Sequence, residues 1–166
     1  MRVPANLAVA ENEDAGETAS VFISYASEDA EYARSLYVEL LNAGFEPWMD
    51  KPPAPYQHRG IKIGQRWRDE IERALRSADY IVLTLSTRSV QKRGFVRYEF
   101  RLALDLMNMV PDGEVLVLPI RIDDCVVPEL RVGTINLTDL HWQDVRRADI
   151  APFAAALHDN LVGGAQ

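Results

Sequence analysis

The sequence predicts an α/β protein: an open, parallel, five-stranded sheet with helices on both faces. Three observations carry this. Short apolar runs alternate with amphipathic stretches about five times along the chain, the pattern of strand–helix repeats. The run Asp79-Tyr80-Ile81-Val82-Leu83-Thr84-Leu85 is almost continuously apolar or β-branched, as a parallel strand covered on both faces requires. The repeats also share no internal sequence similarity, so they form one core and not a repeat array.

At 166 residues the chain has the length of one domain with a tail, and 48% apolar content is enough for a sizeable core. Residues 1–19 hold Glu11, Glu13, Asp14 and Glu17 without periodicity, and read as a flexible acidic leader to a domain over 20–162. Ser20-Val21-Phe22-Ile23-Ser24-Tyr25 reads as the first strand. Ser27 is placed to cap the next helix, with Glu28 and Asp29 in its positive first turn. Ala30, Ala33, Leu36, Tyr37, Leu40 and Leu41 form that helix's apolar stripe, and Gly44 ends it.

Phe45 to Met49 is the second strand, and Pro47 places it at an edge because proline cannot donate a ladder hydrogen bond. Asp50 to Gly64 is a long loop with three prolines and two glycines, a length that usually serves function. Gln65 to Ser77 is helical, with Trp67, Ile71, Ala74, Leu75 and Ala78 on its inner side. After the strand at 79–85, residues 86–93 read as a polar loop with Arg88, Lys92 and Arg93. A helix then starts at Gly94-Phe95-Val96-Arg97-Tyr98-Glu99 and ends before Pro111-Asp112-Gly113. Val115 to Ile120 is the fourth strand, 121–133 is irregular, and Thr134-Ile135-Asn136-Leu137 is a weak fifth strand. Val145, Ile150, Phe153, Leu157 and Leu161 fit a terminal helix with a break near Pro152. The cleft of such a sheet lies beyond the carboxyl ends of its strands, near a switch in strand order.

Several functions are disfavoured by composition and motif. A formal charge of −7 opposes nonspecific binding to nucleic acid or anionic membrane. No run reaches the length of a membrane span, and the N-terminus lacks a signal-peptide pattern. Cys125 is the sole cysteine, which excludes an intrachain disulfide, fits a cytoplasmic location and reads as a buried or loop thiol. His58, His141 and His158 lack the short spacing of a metal pair, so no metal site is expected. No glycine-rich dinucleotide fingerprint follows the first strand, and no phosphate-binding loop is present. A phosphoacceptor domain on the same sheet plan would end its third strand on Asp; here Ser86 and Thr87 follow Leu85.

Phe22-Ile23-Ser24-Tyr25 with Asp29, then Trp48-Met49-Asp50, then Gly64 with Trp67, Ile71 and Leu75, then Ser77 with Asp79 to Leu83 and Ser86, then Glu99 at a helix start and Leu118-Pro119-Ile120, stand in one register. In that register the chain resembles a bacterial Toll/interleukin-1 receptor (TIR) domain over about residues 20–160, which implies a flavodoxin-like sheet. The family often has Ser-Trp-Cys-x-x-Glu where this chain has Gly94-Phe95-Val96-Arg97-Tyr98-Glu99; an aromatic and the glutamate remain, the serine and cysteine do not. The segment 51–60 makes the BB loop long.

Members divide between NAD+-cleaving enzymes and adaptors that only assemble. In the enzymatic branch a glutamate matching Glu99 is required to break the nicotinamide–ribose bond. From its own chemistry Glu99 is either such a carboxylate, a solvated helix residue, or a partner of Arg97, Arg101 or Arg93. The resemblance implies an NAD+ glycohydrolase, with NAD+ as substrate and no further cofactor. Tyr25, Phe95 and Trp48 are candidates to enclose the nicotinamide side, and Ser24, Ser27 and Asp50 to orient ribose. Arg88, Lys92 and Arg93 either meet phosphate or form a solvated basic loop. The implied partners are other TIR domains or further copies of this chain, with no direct nucleic acid and no membrane. The implied setting is NAD+ depletion in antiphage defence or host interaction, with activity dependent on self-association through residues 51–64.

Overall fold

The structure, a computed structural model, describes residues 18–164 apart from 94, 112, 113 and 115, with only the backbone of Phe95 and Val96. The acidic leader therefore lies outside the described residues except for Thr18 and Ala19, and Ala19 already accepts a backbone hydrogen bond from Glu46 at 2.9 Å. Gly94, the expected start of its helix, also lies outside them.

Five parallel strands form the sheet: β1 (Ser20–Ser24), β2 (Glu46–Trp48), β3 (Tyr80–Leu85), β4 (Val117–Arg121) and, at the far edge, β7 (Gln143–Asp144), in the order β2-β1-β3-β4-β7. Between β4 and β7 a separate antiparallel ribbon pairs β5 (Arg131–Val132) with β6 (Ile135–Asn136). The chain moves outward from β1 to β2, then crosses back to β3 on the other side, so the order switches at β1. Pro47 lies in β2 at the edge, as its missing N–H requires.

Helices α1 (Ala30–Asn42) and α5 (Ile150–Leu161) cover one face, and α2 (Trp67–Ser77) and α4 (Phe95–Met107) the other. Strand alternation divides the core. Val21, Ile23 and Val82 pack with Leu36, Leu40 and Phe153 on the α1/α5 side. Phe22, Ile81, Leu83 and Leu85 pack with Ile71, Leu75, Phe100 and Leu104 on the α2/α4 side. A short α3 (Thr87–Gln91) follows β3. Gly44, at φ +100°, ends α1 in the left-handed region that glycine enters without penalty. Among the described residues no helix is long and apolar enough to cross a membrane.

Five expectations need correction. The fifth sheet strand is Gln143–Asp144 and not 134–137. Gly133, at φ +59°, reverses the chain so that Ile135–Asn136 pairs with Arg131–Val132, inside a stretch expected to be irregular. The polar edge strand is held instead by Arg121, whose guanidinium meets Asp144 at 2.6 and 3.0 Å. Ser27 caps no helix: it sits in a 3-10 turn (Ser27–Asp29) ahead of α1, and its hydroxyl lies against Glu28 and Lys92. Residues 86–93 include a helical turn, because Ser86 and Ser89 bond reciprocally to each other's backbone N–H as a capping box. Trp67 is not an inner residue; it opens α2 and is 49% exposed. The last helix excludes Val145 and is unbroken, since Pro152 falls in its first turn where no helical N–H is needed.

Candidate active site

Beyond the carboxyl ends of β1 and β2 lies a cleft of about 610 Å³. Its floor is the Phe22–Trp48 pair, stacked at 5.1 Å between centroids and 16° between planes. Strand register produces the stack, because Phe22 and Trp48 are direct neighbours in the β1–β2 pairing. Tyr25, Ser27, Asp50 and Glu99 line the same space, with Trp67 and Ile71 from α2. Four cations, Arg34, Lys51, Lys92 and Arg93, face two carboxylates around it, so the cleft is locally basic in an acidic chain.

Glu99 is 6% exposed and among the few buried charged or polar side chains described. Its place on α4 explains the burial: it falls one turn before Ala103 on the face that packs against β1 and β4, beside Phe100. Among the described residues its hydrogen-bond partner is the Ser24 hydroxyl, which donates to Oε2. No arginine takes that place, so neither the solvated nor the ion-paired reading of Glu99 describes its setting. Burial pushes its carboxyl up to about 8, opposed by the Ser24 hydrogen bond and assisted by the nearby Asp50 charge.

Tyr25 and Asp50 form a second pair, the phenol donating to Asp50 Oδ1. Burial first, then the Asp50 hydrogen bond and charge, hold the Tyr25 hydroxyl well above the usual phenol range, so it remains a donor at any physiological pH. Asp50 in turn is fixed by the long loop. Its carbonyl accepts from Ile61 N–H at 3.0 Å, and Gly60 passes so close that a Cβ there would lie 2.5 Å from Asp50 O and from Pro52 Cδ. Only glycine permits that approach.

The segment after β3 is tied to the start of α1. Ser86 Oγ donates to Asp29 at 2.5 Å, Arg88 Nη1 to the Glu28 carbonyl at 3.3 Å, and Lys92 Nζ meets Glu28 at 2.7 Å and Ser27 at 3.2 Å. Lys92 and Arg93 thus border the cleft, whereas Arg88 does not.

Of the residues expected in a site, the structure brings Tyr25, Ser27, Trp48, Asp50 and Glu99 to one cleft. Ser24 does not line it and stands behind Glu99. Phe95 begins α4, and its side chain lies outside the described residues. Arg34 and Lys51 were missed, and Trp67 was assigned to the core. Arg34 was accessible to the helical period, because it follows the cleft residue Ala30 by four positions. Cys125 is buried and its thiol is pushed up to about 11, mainly by burial, which suits an inert side chain. Among the described residues no group of three or more His, Cys, Asp or Glu is placed to hold a metal ion.

An open parallel sheet whose switch-point cleft is lined by a buried carboxylate, stacked aromatics and a basic rim is a flavodoxin-like α/β domain with its cleft where such sheets place their ligand sites. This chain belongs to the TIR domain family, whose model matches residues 21–160. It is 27% identical over 141 residues to the 2′ cyclic ADP-D-ribose synthase BtTIR of Bacteroides thetaiotaomicron. That match covers 84% of this chain and 38% of the relative, so the chain spans well under half of that protein's length. It also matches the structure of a metazoan TIR-STING receptor from C. gigas, solved in complex with 2′,3′-cGAMP. There the TM-score is 0.52 at 18% identity, covering 81% of this chain and 39% of that one, and the likeness is one of fold.

Proposed function

We propose that this domain cleaves the nicotinamide–ribose bond of NAD+, with Glu99 as the catalytic carboxylate. The observation that carries the reading is a buried glutamate facing a cleft and held by a serine hydroxyl rather than neutralised by an arginine. Membership of the TIR family and the relation to a 2′ cyclic ADP-D-ribose synthase support NAD+ as the substrate class.

In the proposed reaction the C1′–N1 bond breaks and its electron pair leaves with the nicotinamide, which becomes neutral. Positive charge develops at C1′ and the ring oxygen. An ionised Glu99 beside that sugar stabilises it, and a partly desolvated cleft strengthens the attraction. A cationic nicotinamide ring next to Glu99 also favours the carboxylate over its protonated form. Water then adds to C1′ and loses a proton, which Glu99 accepts, giving ADP-ribose; attack by a hydroxyl of the adenosine half gives a cyclic product instead. The Phe22–Trp48 floor and Tyr25 offer flat surfaces to the ring, and the basic rim suits the pyrophosphate. No further cofactor enters this scheme.

A noncatalytic TIR–TIR assembly domain is the second reading. Ile63, fully exposed at the end of the long loop, favours it as an apolar contact. In our reading the two roles combine, and self-association through this loop activates the cleft. The test is chromatography of NAD+ incubated with the chain at high protein concentration, beside Glu99→Ala. Nicotinamide release by the parent and its loss in the folded variant support the enzyme. Silence from both under conditions that demonstrably assemble the domain leaves the scaffold.

A further inference from the structure

We propose that Ser24 is a positioning residue for Glu99: its hydroxyl fastens one carboxylate oxygen so that the other is presented to the cleft in ionised form. The inference rests on Glu99 being the catalytic carboxylate, and it assigns Ser24 a task other than touching a ligand.

Four observations support it. Ser24 is the last residue of β1 and 1% exposed, and it is not part of the cleft wall, although Phe22, Ile23 and Tyr25 around it in sequence are. Strand alternation puts its side chain on the Phe22 face, toward α4, where Glu99 descends. The Ser24 hydroxyl donates to Glu99 Oε2, and Glu99 itself lines the cleft. Thr84 Oγ1, fully buried in β3, donates to the Ser24 carbonyl at 2.6 Å and pins the serine from behind. A hydroxyl held at a strand end by a neighbouring strand is a rigid support, of the kind that keeps a catalytic rotamer within its productive geometry.

The chemistry of the pair follows from its burial. A carboxylate taken out of water is disfavoured, and a hydroxyl donated to it recovers part of the lost solvation. Ser24 therefore acts against the protonated form, while Asp50 acts for it. The other ionisable groups around the cleft are Tyr25, Arg34, Lys51, Lys92 and Arg93, and none of them is hydrogen-bonded to Glu99 among the described residues.

The experiment compares the parent with Ser24→Ala and Ser24→Cys by two independent readouts. The first is the carboxyl 13C titration of Glu99, assigned against Glu99→Gln and needing no turnover. The second is the pH profile of nicotinamide release. Losing the hydroxyl in Ser24→Ala is expected to raise the Glu99 midpoint by about one to two pH units. The activity limb should shift with it, kcat falling and KM for NAD+ unchanged, because Ser24 does not line the cleft. Ser24→Cys keeps a weak S–H donor and should fall between the two. Equal midpoints in parent and Ser24→Ala overturn the proposal, as does a change in KM alone, which would place Ser24 on the ligand. A shifted midpoint in a chain that releases no nicotinamide upholds the support of Glu99 and sinks the NAD+ reading instead. Thermal melting of each variant guards against misfolding, and Thr84→Val, which loosens the serine without removing its hydroxyl, should give a smaller shift of the same sign.

Discussion

The hydroxyl of Tyr25 donates to the carboxylate of Asp50, joining the residue just after β1 to the one two positions past β2. The bond crosses the cleft wall near the sheet edge, and it couples the end of β1 to the root of the long loop. Removing it in Tyr25→Phe keeps the ring and strands the Asp50 acceptor, a cost of about 1–3 kcal/mol. The expected result is a lower melting temperature with the fold retained and a raised KM for NAD+, measured by thermal denaturation and initial rates. Unchanged stability and kinetics would separate this pair from the site.

The ionisation of Glu99 sets a pH dependence of catalysis. Burial pushes its carboxyl up to about 8, whereas the reaction needs the charged form. Nicotinamide release, as kcat/KM, should rise about tenfold per pH unit below that midpoint and level off above it. Initial rates at low NAD+ between pH 6 and 9.5 check this, and a flat profile would remove Glu99 from the rate equation.

The same shift has the opposite effect on stability. The folded carboxyl holds its proton above the ordinary value of 4.5 and up to about 8, while the unfolded one releases it near 4.5. Folded protein therefore binds more protons across that window, and its stability falls as pH rises from about 4.5 to about 8. Glu99→Gln carries no such penalty. Its melting temperature should match the parent near pH 4.5 and exceed it at pH 8 to 9, even as nicotinamide release drops by about a hundredfold or more. Scanning calorimetry at both pH values decides it.

Gly60 and Gly64 make contrasting demands. A methyl at Gly60 would collide with the Asp50 carbonyl and Pro52, while at Gly64, φ +87°, nothing lies within 4 Å. Gly60→Ala should therefore displace Asp50 and lower activity by about tenfold or more. Gly64→Ala should cost only about 1–2 kcal/mol of backbone strain, with the cleft intact. Parallel rates and melting curves distinguish the two; equal effects on rate would show that the neck of the loop does not govern the site.

The sequence showed most where a segment has a single physical environment. Tyr80–Leu85 is apolar but for Thr84 because α1 and α5 cover one side and α2 and α4 the other, and Pro47 marks an edge because it lacks a donor. Gln143–Asp144 was invisible because it is two polar residues long and held by a distant arginine. Trp67 misled because the helical period places it on the Ile71 side without showing that the core stops short of the first turn of α2. The setting of Glu99 was half legible. Its spacing of four from both Phe95 and Ala103 puts a carboxylate on an apolar stripe, but the serine that holds it lies 75 residues away.

Ser24 and Tyr25 are consecutive, yet each engages a different carboxylate, Glu99 on the α4 side and Asp50 beside β2. This makes the count of residues in β1 an unusually strict quantity. A single deletion between Val21 and Ser24 would exchange the faces of all that follow, bringing the Tyr25 ring to the place opposite buried Glu99 and Ala26, which has no hydroxyl, to the place opposite Asp50. A change of length in this strand ends both pairings at once.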